Sequence, residues 1–351
     1  MSELPDNELP DLDDLGFGVV ETDSMYIATC RDGDEWQQGE LKPYGPIPMH
    51  PAAGVLNYGQ GIFEGMKAIR TTKGRIALFR PEDNARRFQI GAKRLGAPPV
   101  PEEIFLNAVI KVVKANQRWV PSSGKGALYI RPLLWGSGPV LGVNPAPSYT
   151  FCIYTSPVGP YFKGGFKPIK LIVALYHYRA APGGTGNVKA IGNYSSGLIL
   201  SRKVKRHGYC EIVYLDAVHQ RYVEEVGAAN FFMVKDNNLY TPELSGTILP
   251  GITRDSVIKL ARHLGLNAVE QKVSIDWVLT ADEAFCTGTA AVITPIGWVD
   301  YSGKKVTFNN GEVGPVTRKL YDTLTSIQIE VSRDIFGWMH PVEENGALHA
   351  I

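Results

Sequence analysis

Hydrophobic positions in this chain fall into two rhythms, alternation by two and recurrence by three and four, and the switches between them mark its elements. Residues 26–29 and 40–41 alternate as short strands on either side of the turn-rich RDGDEW segment. The run GQGIFEGMKAIRT alternates small and large residues and reads as a strand, with 75–79 as its hairpin partner across the turn at 72–74. Pro81 then occupies a helix-start position with Glu82 and Asp83 in the first turn, where the helix dipole favours anions, so a helix is expected over 82–95. A second helix over 101–119 carries Ile104, Val109, Val112 and Val113 on one face. Strands at 127–135 and 149–156, joined by a Gly/Pro-rich loop, complete a sheet with two helices on one side.

Residues 157–168 (PVGPYFKGGFKP) have the composition of a linker or lid. Beyond them the pattern predicts a strand at 169–176, a helix at 195–207, and strands at 210–215, 221–226 and 229–235, the last closed by Asp-Asn-Asn. Helices follow at 253–264, after Pro250-Gly251, and at 316–331, with Pro315 near its start. No internal repeat is visible. The reading is a mixed α+β chain divided into an acidic N-terminal arm (1–15), a small α/β domain (16–156), an interdomain loop (157–168) and a larger domain (169–351).

Composition narrows the function. A length of 351 residues suits about two domains. With 36 Lys and Arg against 35 Asp and Glu, no net field draws nucleic acid or an anionic membrane, and neither is expected as a partner. Cys30, Cys152, Cys210 and Cys286 are scattered, with no C-x-x-C pair and no His at metal-ligand spacing, so they read as structural thiols in a reducing compartment and no metal is expected. No apolar run approaches the ~18 residues of a membrane helix. Residues 1–30 hold no Lys or Arg, unlike signal or transit peptides, which favours the cytoplasm; a removed presequence would leave an organellar matrix or plastid stroma open.

Chemistry concentrates at GGTGNVKAIGNY, residues 183–194, where Lys189 stands with no other Lys or Arg between Arg179 and Arg202. A lysine amine has a pKa of about 10.4 in water and attacks a carbonyl only when its surroundings lower that value or hold it as an imine. Glycines at 183, 184, 186 and 192 would let backbone and a flat ligand approach. A surface lysine in a Gly-rich loop is the commoner meaning of such a stretch. A phosphate loop is excluded, because Val188 and Ala190 flank the lysine where Gly and Ser or Thr are needed.

Six segments in order resemble the branched-chain amino acid aminotransferases, fold-type IV enzymes that use pyridoxal 5'-phosphate (PLP): LNYGQGIFEGMKA, LFRPEDNARR, the lysine stretch, EEVGAANFF, GTILPGITRDS and FCTGTAAVITP. The resemblance implies a small α/β sandwich domain and a larger pseudo-barrel domain. It implies that Lys189 forms the Schiff base, Glu225 pairs with the pyridinium, Tyr194 bonds the ring oxygen and Arg87 binds the phosphate. Glu225 is expected to face away from Glu224, since strand side chains alternate. Ile252 and Thr253 open a helix whose first amides suit a phosphate, although from that segment alone a helix merely capped by Thr253 is the favoured reading. A second cradle element at 287–290 is implied to turn Thr289 toward phosphate and Ala290 toward the substrate carboxylate.

For substrates, the resemblance assigns Phe63, Tyr129 and Tyr161 to an aromatic wall, Arg131 with Tyr58 to a γ-carboxylate, and Val143 to a loop reaching the pocket; each aromatic could equally be core. Tyr58 and the 141–143 loop act on the neighbouring subunit in that family, which implies a homodimer. The implied reaction moves the amino group of leucine, isoleucine or valine to 2-oxoglutarate and back. The alternative is another fold-type IV enzyme: a methionine- or aromatic-directed transaminase, a D-amino acid aminotransferase or an aminodeoxychorismate lyase. Ala291 and Thr294 stand where mammalian members have a redox C-x-x-C, so thiol regulation is not expected, and Ala228 replaces a threonine near the carboxylate site of some members.

Overall fold

The computed structural model describes residues 9–12, 14–159 and 166–342. Most of the expected acidic arm, residues 160–165 of the expected linker and therefore Tyr161 lie outside the described residues. The chain divides into two compact units, 1–163 with 326–351, and 164–325.

In chain order the first unit contains β1 (Ser24–Arg31), β2 (Glu40–Pro43), α1 (Gly54–Tyr58), β3 (Gly61–Phe63), β4 (Met66–Arg70), β5 (Ile76–Phe79), α2 (Pro81–Arg94), α3 (Glu102–Ala115), β6 (Ala127–Gly136) and β7 (Ser148–Val158). Then come β8 (Ile169–Val173), α4 (Gly192–Ser195), α5 (Leu198–Arg206), β9 (Glu211–Leu215), β10 (Val223–Val226), β11 (Ala229–Lys235) and β12 (Asn238–Pro242). The rest is α6 (Ile252–His263), β13 (Asn267–Gln271), α7 (Ile275–Val278), β14 (Glu283–Gly288), β15 (Val292–Tyr301), β16 (Lys304–Thr307), α8 (Pro315–Gln328) and β17 (Met339–Pro341).

The first unit's sheet runs β17-β5-β4-β6-β7-β1-β2, with β3 also on β6, and all its pairings are antiparallel. The apolar stripes of α2 and α3 meet it: Phe88, Phe105 and Phe151 bury completely, with ring centroids 5.2, 5.6 and 5.9 Å apart. Each such ring contributes about 1.5–3 kcal/mol by burial. Asn116, just past α3, ties that helix to the sheet by accepting from the Asp23 and Ser24 amides at 3.0 Å and donating to Ser24 O at 2.9 Å.

Two expectations need correction here. The second domain was read as running to residue 351, but β17 pairs antiparallel with β5 and Trp338 packs edge-on against Phe79, so 326–351 belong to the first unit. Nothing local in a three-residue strand announces a partner 260 positions earlier in the chain, as Met339 has in Phe79. The single strand read in GQGIFEGMKAIRT is two, with Glu64 and Gly65 between β3 and β4, although the Glu64 amide still donates to Pro132 O on β6 at 2.9 Å.

In the second unit, β10 pairs with both β9 and β11, closing the ring β10-β9-β8-β15-β14-β11, with β12, β13 and β16 outside it. This is the barrel-like sheet; Phe231, Phe232 and Phe285 on its strands are all fully buried, and Phe232 stacks on Phe285 with ring centroids 5.0 Å apart. Strands β12 to β16 were not anticipated. In β15 the Pro295 and Gly297 positions argue against a central strand, yet the pairing survives through a register shift between Ile296 and Trp298. The helix expected at 195–207 is broken into α4 and α5. At α8 the buried Glu283 accepts from the Val316 amide at 2.9 Å and the Thr317 amide at 2.8 Å, a tertiary cap on helix amides that lack intrahelical partners.

Candidate active site

The residues singled out from the sequence divide between the two units. In the second unit, Lys189 sits on a turn between buried Val188 and Ala190. Asn193 rivets that turn: its side-chain amide donates to Thr185 O at 2.7 Å and Val188 O at 2.9 Å, while Thr185 Oγ1 donates back to Asn193 Oδ1 at 2.6 Å. Gly186 is required because a Cβ there would collide with the Thr247 carbonyl. Lys189 Nζ donates to Tyr194 Oη at 3.2 Å and lies 5.3 Å from that ring's centroid.

Glu225, on β10, is 3% exposed. Its Oε1 accepts from the Leu249 amide at 2.9 Å and from Asn230 Nδ2 at 3.2 Å. Its Oε2 lies 2.9 Å from Arg179 Nε, which is not aligned to donate to it. Burial pushes the Glu225 carboxyl up to about 7, opposed by Arg179, by the Leu249 amide and by the charge of Lys189. Arg179 is held in turn by Gly186 O at 3.1 Å and by Thr247 O. Sequence reasoning missed both Arg179 and Asn230. A buried acid needs a counter-charge, so a nearby arginine could have been sought, but nothing in the pattern says which one.

Glu224 is buried as well, with its own partner: its Oε1 accepts the Thr247 hydroxyl. A register shift between Val223 and Glu225 accompanies this double burial in β10.

Helix α6 starts at Ile252 with Gly251 as its N-cap, and no side chain caps it. Thr253 lies inside the first turn, so the reading of a helix capped by Thr253 does not hold. Asn230 Nδ2 also donates to Leu249 O at 2.9 Å, so one amide ties the Glu225 carboxylate to the segment leading into α6. Thr289 and Ala290 occupy the turn between β14 and β15. Val292 closes that turn at φ 58°, a conformation that costs a β-branched residue about 1–3 kcal/mol. Just before the turn, Thr287 Oγ1 is buried without a hydrogen-bond partner.

In the first unit, Arg87 on α2 is clamped by Glu64: Nε to Oε1 and Nη2 to Oε2, both 2.7 Å. Glu64 is fully buried and also accepts from Asn84 Nδ2 at 2.7 Å. Glu64 was not anticipated either. Tyr129 and Arg131, two apart on β6 and so on one face, meet Phe63: the Arg131 guanidinium is 4.7 Å from the Phe63 centroid and 5.2 Å from that of Tyr129, and Nη2 donates to Tyr129 Oη at 3.2 Å. Gly65 makes room for that hydroxyl, which a Cβ would strike. Lys67 on β4 stands opposite Tyr129 in the ladder, and burial pushes its ammonium down to about 8. Tyr58 donates its hydroxyl to Leu141 O, while Leu141 and Val143 are 92% and 85% exposed.

The model of the family described as amino-transferase class IV matches residues 61–298. The chain belongs to the class IV aminotransferases. It is 52% identical over 93% of its length to a chloroplastic branched-chain amino acid aminotransferase 2 of Humulus lupulus, 80% of which is covered. It is 44% identical over 95% of its length to a methionine aminotransferase of Arabidopsis thaliana, 94% of which is covered. A solved branched-chain amino acid aminotransferase from Escherichia coli superposes with a TM-score of 0.80 at 30% identity, covering 92% of this chain and all of the other. Another solved branched-chain amino acid aminotransferase, complexed with N-(5'-phosphopyridoxyl)-L-glutamate, superposes with a TM-score of 0.77 at 29% identity over the same shares of the two chains.

The cofactor of this family is PLP, and the second unit's residues fit it. A lysine amine is oriented by a phenol. A buried carboxylate has one oxygen with no aligned donor, suited to a ring N–H. An uncapped helix start offers amides to a phosphate dianion. Among the described residues no group of three His, Cys, Asp or Glu could hold a metal ion, and no helix is long and apolar enough to cross a membrane. The four cysteines are free, and burial pushes the Cys152 and Cys286 thiols up to about 12, where they are inert.

Proposed function

We propose that this protein transfers the amino group of L-leucine, L-isoleucine or L-valine to 2-oxoglutarate, and the reverse, giving branched-chain 2-oxo acids and L-glutamate. The observation that carries the reading is Lys189 held against Tyr194 within the electrostatic reach of a buried acid, Glu225. Bound PLP supplies an aldehyde carbon that accepts amines and an electron-withdrawing ring that stabilises negative charge at the substrate Cα.

Lys189 moves the Cα proton, its amine aimed by the Tyr194 hydroxyl. Glu225, drawn toward its anionic form by Arg179 and by the cationic ring, holds a proton on the ring nitrogen through a charge-assisted bond. The α6 start at Ile252 and Thr253, with Thr289, is assigned to the phosphate; for Arg87 that role rests on the resemblance alone. The Glu64 clamp fixes the plane of the Arg87 guanidinium before any ligand arrives. Arg131, stacked between Phe63 and Tyr129, supplies a cation inside an aromatic wall, a combination that accepts an aliphatic side chain or glutamate's γ-carboxylate. Ala290 is assigned to the substrate α-carboxylate, and Tyr161 to the wall on the resemblance alone.

The exposure of Leu141 and Val143 beside Tyr58 supports a homodimer in which this loop serves the partner's pocket. The cytoplasm is the compartment we assign; fractionation that recovers the protein in plastids, the compartment in the hop relative's name, would reverse this.

The test is the cofactor's visible absorption in purified enzyme, which leucine should shift and 2-oxoglutarate restore. A band unmoved by all three branched substrates would refute the reading. The second reading, a methionine-directed transaminase, is favoured by the 44% identical relative; kcat/KM for methionine above that for leucine, with 2-oxoglutarate as acceptor, would select it.

A further inference from the structure

Strand β10 carries two adjacent acids, and the proposed chemistry uses only Glu225. Glu224 is 4% exposed; Oε1 accepts the Thr247 hydroxyl, but Oε2 is buried with no hydrogen-bond partner. An unmet buried carboxylate oxygen calls for an explanation. Burial raises the Glu224 carboxyl above its ordinary value, with Thr247 and Arg179 opposing the rise.

Glu224 also lines a cavity of about 140 Å³, and none of Lys189, Tyr194 or Glu225 borders it. That is room for several waters or one small organic molecule. Its other walls include Pro182, Val218 and Ile248, which are apolar, and Lys272, whose ammonium lies 5.3 Å from the Tyr222 ring centroid.

The second acid in the wall, Asp216, is already committed. It accepts from the amides of His219, Arg221 and Tyr222 at 2.6, 3.0 and 2.8 Å, and its Oδ2 is 2.9 Å from His219 Nδ1. Burial notwithstanding, these donors hold Asp216 down at about 2, a fixed anion that adds negative field to the cavity. A third acid, Glu243, also lines the wall but is exposed to water, so the buried acceptor left over is Glu224, and a metal is unsuited to it, since no three-ligand cluster exists among the described residues.

We propose that this cavity binds a small primary amine, its ammonium donating to the Glu224 carboxylate and its short aliphatic body lying on Val218 and Ile248. The chemistry is that of a free branched amino acid or of the amine left by its decarboxylation; Lys272 at the wall would add an ion pair only with the former. Arg179 acts electrostatically on both Glu224 and Glu225, so occupancy here is felt at the acid assigned to the cofactor ring. The proposal is independent of which substrate the enzyme prefers.

The experiment uses PLP-loaded enzyme reduced with borohydride, so that Lys189 no longer exchanges amines, titrated calorimetrically with isoamylamine, L-leucine and, as a control without an amine, isovalerate. One saturable site per chain that both variants below weaken is expected for isoamylamine or leucine, whereas any isovalerate held in the pocket assigned to substrate should be unmoved by them. Glu224→Gln should weaken binding at least about tenfold, the loss of a charge-assisted bond. Val218→Trp, at a position 63% exposed and so tolerant of substitution, should block the cavity and abolish binding. Tighter binding of leucine than of isoamylamine would identify the free amino acid, and the reverse order the decarboxylated amine. No saturable binding of either, binding that both variants retain, or isovalerate binding that both variants weaken equally would overturn the proposal.

Discussion

Each unit holds, at its candidate site, a buried carboxylate against an arginine, and the two pairs are built differently. Glu64 meets Arg87 through two parallel bonds of 2.7 Å and takes a further bond from Asn84. Glu225 has donors on Oε1 alone, while Arg179 stands 2.9 Å from Oε2 without the alignment to donate. The first acid is saturated and serves as a vice that orients a guanidinium. The second keeps one oxygen available and carries a carboxyl raised to about 7 by burial, so its charge is decided by whatever cation arrives. Full satisfaction makes a buried acid structural; partial satisfaction makes it responsive.

The comparison can be broken at several levels. Lys189→Ala should cost the most, lowering turnover by about 10⁴-fold or more while circular dichroism stays native; turnover near that of the unmodified enzyme would show that the responsive acid serves some other amine. Glu225→Gln should lower kcat by roughly 10²–10³-fold, the scale for removing one aimed electrostatic stabiliser, and blunt the cofactor's spectral response. At the saturated pair the currency is stability: Glu64→Gln leaves Arg87 buried without its counter-charge and should destabilise the fold by about 3–5 kcal/mol in denaturant titrations. A negligible loss there would mean that the vice is not what holds Arg87.

Acidity sharpens the contrast. Without cofactor, the folded chain holds a proton on Glu225 from its ordinary 4.5 up to about 7, whereas the unfolded chain has already released it. The group therefore favours folding below about 4.5, and that contribution, on the order of 3 kcal/mol, is lost as pH rises to about 7. Melting curves of cofactor-free protein across that window should slope downward and flatten in Glu225→Gln. Cofactor should also flatten them, because a cationic ring favours the carboxylate. The smallest effect belongs to Tyr58→Phe, which removes the bond to Leu141 O and should cost about 1 kcal/mol or less in stability, with a larger change in KM for 2-oxoglutarate than for leucine if the loop serves the γ-carboxylate.

What the sequence determined by itself was local. The helix starts at Pro81 and Pro315 were readable from residues a few positions apart, as were the hairpin turn at 72–74 and the lysine between glycines, because proline, glycine and alternation act on their own backbone. Motif likeness added the family and the names of Lys189, Tyr194 and Glu225, and the fold brings these three together. Tertiary structure alone decided the rest. The return of β17 to β5, the closure of β10 onto both β9 and β11, and the choice of Arg179, Asn230 and Glu64 as partners for buried charges all join positions far apart in the chain or on separate elements. A buried charge dictates that a partner must exist, but only the folded geometry, where distance sets the strength of every electrostatic term, says which residue supplies it.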